Sequence, residues 1–146
     1  MDFEKLLRDS IRNFPNNGSF VLQPGQDVRS QIKEGGVPDE PGIYLICGTK
    51  GETARLMYIG KAGTLKKDGS FRDQMLCGRL SAKQEGISRQ KFYQEKMAEL
   101  QLDHLLFYWF VTFNSGIRII PAKAEADLIQ KYFDDNGYLP PWNVSV

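Results

Sequence analysis

The chain has a single histidine, His104, and only two cysteines, Cys47 and Cys77, in 146 residues. One histidine excludes two-histidine metal sites and histidine-centred triads, unless a partner chain contributes another. The cysteines lie far apart without Cys-x-x-Cys spacing, so neither a disulfide framework nor a zinc site is indicated, and both read as small buried or idle thiols. No apolar run approaches the roughly 18 residues of a membrane span. The start, Met1-Asp2-Phe3-Glu4-Lys5, is too acidic and amphipathic for a secretory signal. These absences lead us to expect a soluble, cytoplasmic protein with no membrane partner. Internal repeats and low-complexity tracts are also missing, and the net charge is only +1.

What is present is an ordinary mixture, 41% hydrophobic and 25% charged, in a chain long enough for one compact domain. The charge is unevenly spread. Residues 55 to 91 carry nine lysines and arginines against three carboxylates, a local +6 that leaves −5 for the remainder. A basic third set against an acidic remainder suits a one-sided surface for an anionic ligand. Solvent exposure of a charged face explains the same excess.

Phe3, Leu6, Leu7, Ile11 and Phe14 fall near helical spacing and predict an amphipathic helix stopped at Pro15. Residues 15 to 41 are rich in Gly, Pro and polar side chains and read as a connecting arm, with a possible short strand at Ser19–Leu22. The organisation is thus an N-terminal helix and arm over 1–41, then a domain over 42–146. Gly42–Cys47 and Arg55–Gly60 are brief β-prone runs joined by a polar, Gly-containing loop, which reads as a hairpin. A helix is expected over about Phe71–Lys83, although Gly78 weakens it by about 1 kcal/mol relative to alanine. A second helix follows a Ser88 cap, with Phe92, Tyr93, Met97 and Leu100 on one face. The aromatic and branched run after His104 reads as a buried central strand. A last helix spans about Ala122–Phe133. This order fits the α+β class, a small antiparallel sheet of about three strands flanked by helices.

Three groups of residues could carry chemistry. At 100° per residue, Glu125 falls inside the apolar stripe Ala122, Ala126, Ile129, Tyr132 and Phe133, whereas Asp127 points away. A carboxylate directed at packed surface needs a partner, either a salt bridge or a metal ion at the sheet rim. On the expected middle helix, Arg72, Arg79 and Lys83 share one face and could grip phosphate. Tyr44 and Tyr58 end neighbouring strands; a phenol with an ordinary pKa near 10 is a weak base, and becomes useful beside cations such as Lys61, Lys66 and Lys67.

Gly42-Ile43-Tyr44 and Tyr58-Ile59-Gly60-Lys61, with Leu76-Cys77-Gly78-Arg79-Leu80, Ala124-Glu125-Ala126-Asp127 and Pro141-Trp142-Asn143 in that order, resemble the GIY-YIG nuclease family. The resemblance spans Gly42 to Asn143. It implies a metal-dependent endonuclease acting on DNA phosphodiester bonds, in which Tyr58 orients or deprotonates water with help from Lys61 or Lys66. It further implies that Tyr44 fixes water or phosphate, Arg79 stabilises phosphoryl oxygens, Glu125 holds one Mg²⁺ (or Mn²⁺), and Asn143 buttresses the site. Lys66, Lys67, Arg72 and Lys83 would contact substrate. Arg72 remains a rival for the role of Arg79, and Asn136 for that of Asn143. Many members carry a histidine or tyrosine one turn after the arginine, where this chain has Lys83. The length suggests a small stand-alone enzyme, restriction-like, for which a homodimer is one admissible assembly. A catalytically inactive binding module on the same scaffold is the alternative.

Overall fold

The computed structural model describes residues 3–84 and 87–146, with the backbone alone at Lys83 and Gln84. The elements are α1 (Phe3–Asn13), β1 (Asn17–Leu22), α2 (Val28–Glu34), β2 (Gly42–Lys50), β3 (Thr53–Ala62), β4 (Thr64–Leu65), β5 (Phe71–Arg72), α3 (Leu76–Arg79), β6 (Lys83–Gln84), β7 (Ile87–Ser88), α4 (Arg89–Leu100), β8 (His104–Val111) and α5 (Pro121–Asn136). The class is α+β, as the sequence suggests. The main sheet has four strands rather than three, in the order β1-β8-β2-β3, and every pairing is antiparallel. The extra strand comes from the arm: Asn17–Leu22 pairs with Leu105–Phe110 along its whole length.

Both sheet faces are covered, which explains why β2 reads as an almost unbroken apolar run. On one face Tyr44, Ile46, Met57, Phe107 and Trp109 pack with Phe20, Val28, Ile32, Leu76, Leu80, Phe92, Tyr93, Met97 and Trp142. On the other, Ile43, Leu45, Cys47, Leu56, Ile59 and Phe110 pack with Leu6 and Phe14 from the α1 side and Ala124, Leu128, Ile129 and Tyr132 of α5. Burial pushes the Cys47 thiol up to about 12, in keeping with an inert core position. The hairpin between β2 and β3 is tighter than the sequence implies: Lys50 pairs with Thr53, and Gly51, at φ 60°, makes the turn. Among the described residues, no helix is long and apolar enough to cross a membrane.

The helix expected over Phe71–Lys83 does not form. Helical structure is confined to the single turn Leu76–Arg79, while Phe71–Arg72 and Lys83–Gln84 are short strands of two small hairpins. Asp73 stands at φ 67°, a left-handed conformation that a continuous helix could not contain. Arg72, Arg79 and Lys83 therefore do not share a helical face. The side chain of Lys83 lies outside the described residues.

The second correction concerns α5. Its buried face is Pro121, Ala124, Leu128, Ile129 and Tyr132, whereas Ala122, Ala126 and Phe133 are exposed. The stripe is rotated from the expected one because the helix docks on Ile43, Leu45 and Ile59 through Ala124, Leu128, Ile129 and Tyr132 rather than through Ala122, Ala126 and Phe133. Glu125 lies one turn before Leu128 and Ile129, so it still faces the sheet side, half-buried at the stripe's edge.

Candidate active site

Tyr58, Lys61, Gly63, Thr64, Asp73, Gln74, Arg79 and Glu125 line one small cleft of about 150 Å³. Three elements supply its chemistry. β3 delivers Tyr58 and Lys61 to the cleft from its two opposite faces, Tyr58 from the face of Tyr44 and Lys61 from the face of Ile59, on which α5 packs. The α3 turn is pinned by Leu76 and Cys77 amides donating to the carbonyls of Glu40 and Pro38, at 3.1 and 3.2 Å, and presents Arg79. α5 starts with Pro121 at its first turn and lays Glu125 over the same opening.

The electrostatics are those of charged groups partly withdrawn from water. Burial holds the Glu125 carboxyl above its ordinary range, and the positive fields of Lys61 and Arg79 partly offset this. Among the described residues Glu125 has no salt bridge within 4.0 Å. The Arg79 Nε is buried without a hydrogen-bond partner among the described residues, so an incoming anion could satisfy it. Asp73 is already engaged: its carboxylate accepts from Thr64 Oγ1 at 2.7 Å and lies 3.8 Å from Arg72 Nε.

Tyr44 is placed differently from Tyr58. It is fully buried, and its ring lies 5.9 Å from that of Tyr58, centroid to centroid, tilted by 33°. Its hydroxyl has no hydrogen-bond partner among the described residues, and desolvation keeps the phenol strongly protonated despite Arg89 nearby. Tyr44 thus stands one layer behind the cleft. Gly60 makes this possible, since a Cβ there would sit 2.6 Å from both the Tyr44 Oη and the Tyr58 Cε2.

Asn143 backs the same segment from the sheet edge. Its side-chain amide donates to the Ile59 carbonyl at 2.9 Å and accepts from the Ile59 amide at 3.0 Å, and the Trp142 amide donates to the Met57 carbonyl at 2.8 Å. These bonds satisfy the outer edge of β3 between Tyr58 and Gly60, as a fifth strand would. Asn136 instead bonds the Tyr132 carbonyl within α5. Arg72, Lys66 and Lys67 are exposed on the β4–β5 hairpin, outside the cleft wall.

Sequence reasoning missed Arg89. The guanidinium is 1% exposed, 6.0 Å from the Tyr44 ring and 5.9 Å from the Tyr58 ring, and it hydrogen-bonds the Tyr93 side chain. The Tyr93 hydroxyl in turn donates to the Leu80 carbonyl, beside Arg79, at 3.1 Å. A guanidinium against two aromatic faces is a favourable way to hold a buried cation. In the sequence it is one more member of a basic stretch, and only its place at the first turn after the Ser88 cap hints at a fixed position. No family model, curated protein or solved structure matches the chain.

Proposed function

We propose that the chain is a restriction-like endonuclease domain of GIY-YIG type that hydrolyses DNA phosphodiester bonds with one divalent cation. The observation that carries this reading is the convergence of Tyr58, Lys61, Arg79 and Glu125 on one cleft from three separate elements. Cations, a phenol and a desolvated carboxylate at one opening suit in-line hydrolysis of a phosphodiester.

Arg79 offers a buried, unpartnered donor to a phosphoryl oxygen and stabilises negative charge that grows there during attack. Tyr58 orients the attacking water at the cleft wall, and the neighbouring Lys61 favours loss of its proton. Tyr44, buried and neutral, acts by holding the Tyr58 ring rather than by taking protons. The water oxygen bonds to phosphorus as the bond to the 3′ oxygen breaks; the water's proton passes by way of the Tyr58 hydroxyl to solvent, and the leaving 3′ oxygen takes a proton from solvent. The products carry a 5′-phosphate and a 3′-hydroxyl.

Glu125 is the residue that would hold the cation. The described residues contain no cluster of three or more His, Cys, Asp or Glu side chains able to hold a metal ion. One desolvated carboxylate is a donor set that fits magnesium, which keeps several waters and binds substrate oxygens. When bound, the ion supplies Lewis-acid stabilisation of phosphate and leaving-group charge.

The test is cleavage of plasmid, single-stranded and branched DNA in Mg²⁺ or EDTA, comparing wild type with Glu125→Ala. Cleavage by wild type that disappears with EDTA and in the variant is the expected result. A folded wild type that binds DNA as the variant does, and cuts none of the panel, would replace this reading with an inactive binding module.

A further inference from the structure

The basic residues outside the cleft are gathered by a structure that the sequence does not foretell. The cleft wall at Gly63, Thr64, Asp73 and Gln74 is also the base of the β4–β5 hairpin, closed by the Gly63 amide donating to the Gln74 carbonyl at 3.0 Å. The hairpin is stiff to its tip. The Lys66 amide donates to the Ser70 carbonyl at 2.7 Å, Asp68 Oδ1 accepts from both the amide and the hydroxyl of Ser70, and Gly69 turns the chain at φ 87°. Lys66, Lys67 and Arg72 project into solvent from this frame.

A second loop is locked to it. Phe71 meets Phe113 edge to face, with centroids 4.9 Å apart, and Phe113 pairs with Arg118 across the turn that follows β8. Asn114 Oδ1 accepts from the amides of Gly116 and Ile117, fixing that turn. Arg118 is exposed, its guanidinium 5.6 Å from the Phe113 ring. An aromatic pair thereby ties the turn that carries Arg118 to the hairpin at Phe71, although 46 residues separate Arg118 from Arg72.

We propose that the β4–β5 hairpin and the 113–118 turn form one phosphate-gripping arm beside the cleft, which takes the backbone of double-stranded DNA and in which Arg118 is a contact residue. The inference rests on the nuclease reading only for the identity of the polymer. Charge complementarity selects the occupant: Lys66, Lys67, Arg72 and Arg118 outnumber the frame's carboxylates Asp68 and Asp73, which are engaged by Ser70 and by Thr64 and Arg72, and the positive excess suits a polyanion. The duplex is favoured over a single strand because neither ring of the arm is a free platform for base stacking: Phe71 and Phe113 are half-buried and packed edge to face, with the Arg118 guanidinium over Phe113.

The experiment measures the affinity of labelled duplex and single-stranded DNA of one sequence, in EDTA and across a salt series, for wild type, Arg118→Ala and the double variant Lys66→Ala/Lys67→Ala. All three substitutions are at exposed positions, and unchanged melting temperatures certify folding. Each lost phosphate contact should flatten the slope of log K against log salt by about 0.9, so about 0.9 for Arg118→Ala and about 1.8 for the double variant. Duplex binding with unchanged slopes in both variants overturns the arm, as does binding of single strands more tightly than duplex. Wild type that binds no duplex overturns it too. Because the binding series contains no metal, loss of slope without any Mg²⁺-dependent cleavage would support the arm while removing the nuclease reading. Cleavage with unaltered slopes would do the reverse.

Discussion

Helix α5 borders two concave regions, and the difference between them shows what marks a chemical site. On one side Glu125 enters the cleft of about 150 Å³ with Tyr58, Lys61 and Arg79. On the other, Lys123, Ala124, Asp127, Leu128 and Lys131 line a groove of about 340 Å³ against Asp9, Ser10 and Phe14. The groove is the larger, yet among the described residues none of its buried side-chain polar atoms lacks a partner: Lys123 bonds Asp127 at 2.7 Å, and Ser10 donates to the Leu6 carbonyl at 2.9 Å. The cleft instead holds a buried arginine nitrogen without a partner and a carboxylate that burial makes harder to ionise. Unmet polar demand, rather than volume, distinguishes the two.

The sharpest way to break this comparison is to disable one side at a time. Glu125→Ala should reduce Mg²⁺-dependent DNA cleavage to background, whereas Lys123→Ala on the groove side should leave the rate within twofold; single-turnover assays read both. Next in size, Arg79→Ala should slow cleavage by about 10²–10³-fold, the usual loss of one preorganised donor to developing charge. Equal activity of that variant would move the weight to Arg72. A third variant probes how the cleft is backed: Gly60→Ala drives a methyl group into Tyr44 and Tyr58 and should cost about 1–3 kcal/mol of stability, read by denaturant titration.

Smaller effects sharpen the picture. Asn143→Ala removes two hydrogen bonds from Ile59 and should cost about 1–3 kcal/mol in the same titration, through the amide and carbonyl it leaves unmet at the β3 edge. The smallest signal is the pH dependence of Glu125. Its folded-state pKa is raised, so the folded chain holds that proton more tightly than the unfolded chain. The resulting stability is fully present below the unfolded-state value and lost as pH rises through the folded-state value. Glu125→Gln should therefore flatten the decline of melting temperature just above the ordinary glutamate range.

Much of the fold was legible where local rules and tertiary packing agree. The β2–β3 hairpin, the strand after His104, the Ser88-capped helix and the final helix form where alternation, capping and apolar runs place them, with bounds shifted by a few residues. The stretch from Phe71 to Lys83 misled because its helical spacing of arginines and lysine says nothing about docking: Leu76 and Leu80 are its buried side chains, enough to hold a single turn but not a stripe along the whole segment. Without an apolar stripe to dock, Gly78 and the left-handed Asp73 decide, and the chain makes hairpins around a single turn. In the arm the short strand read at Ser19–Leu22 does form, from Asn17, but only its pairing with Leu105 to Phe110 makes it the fourth strand of the sheet.

The sequence by itself determined the α+β class, the hairpin that sets two tyrosines on adjacent strands, and a carboxylate on the sheet side of the last helix. These follow from spacing, which the chain carries locally. Only the tertiary structure decided that Tyr44 is buried while Tyr58 borders the cleft, that Arg79 and not Arg72 lines it, that Asn143 closes the edge of β3, and that Arg89 lies against both tyrosine rings. Each of these is a matter of which side chain is deprived of water and by what, and desolvation is settled by contacts between segments distant in the chain.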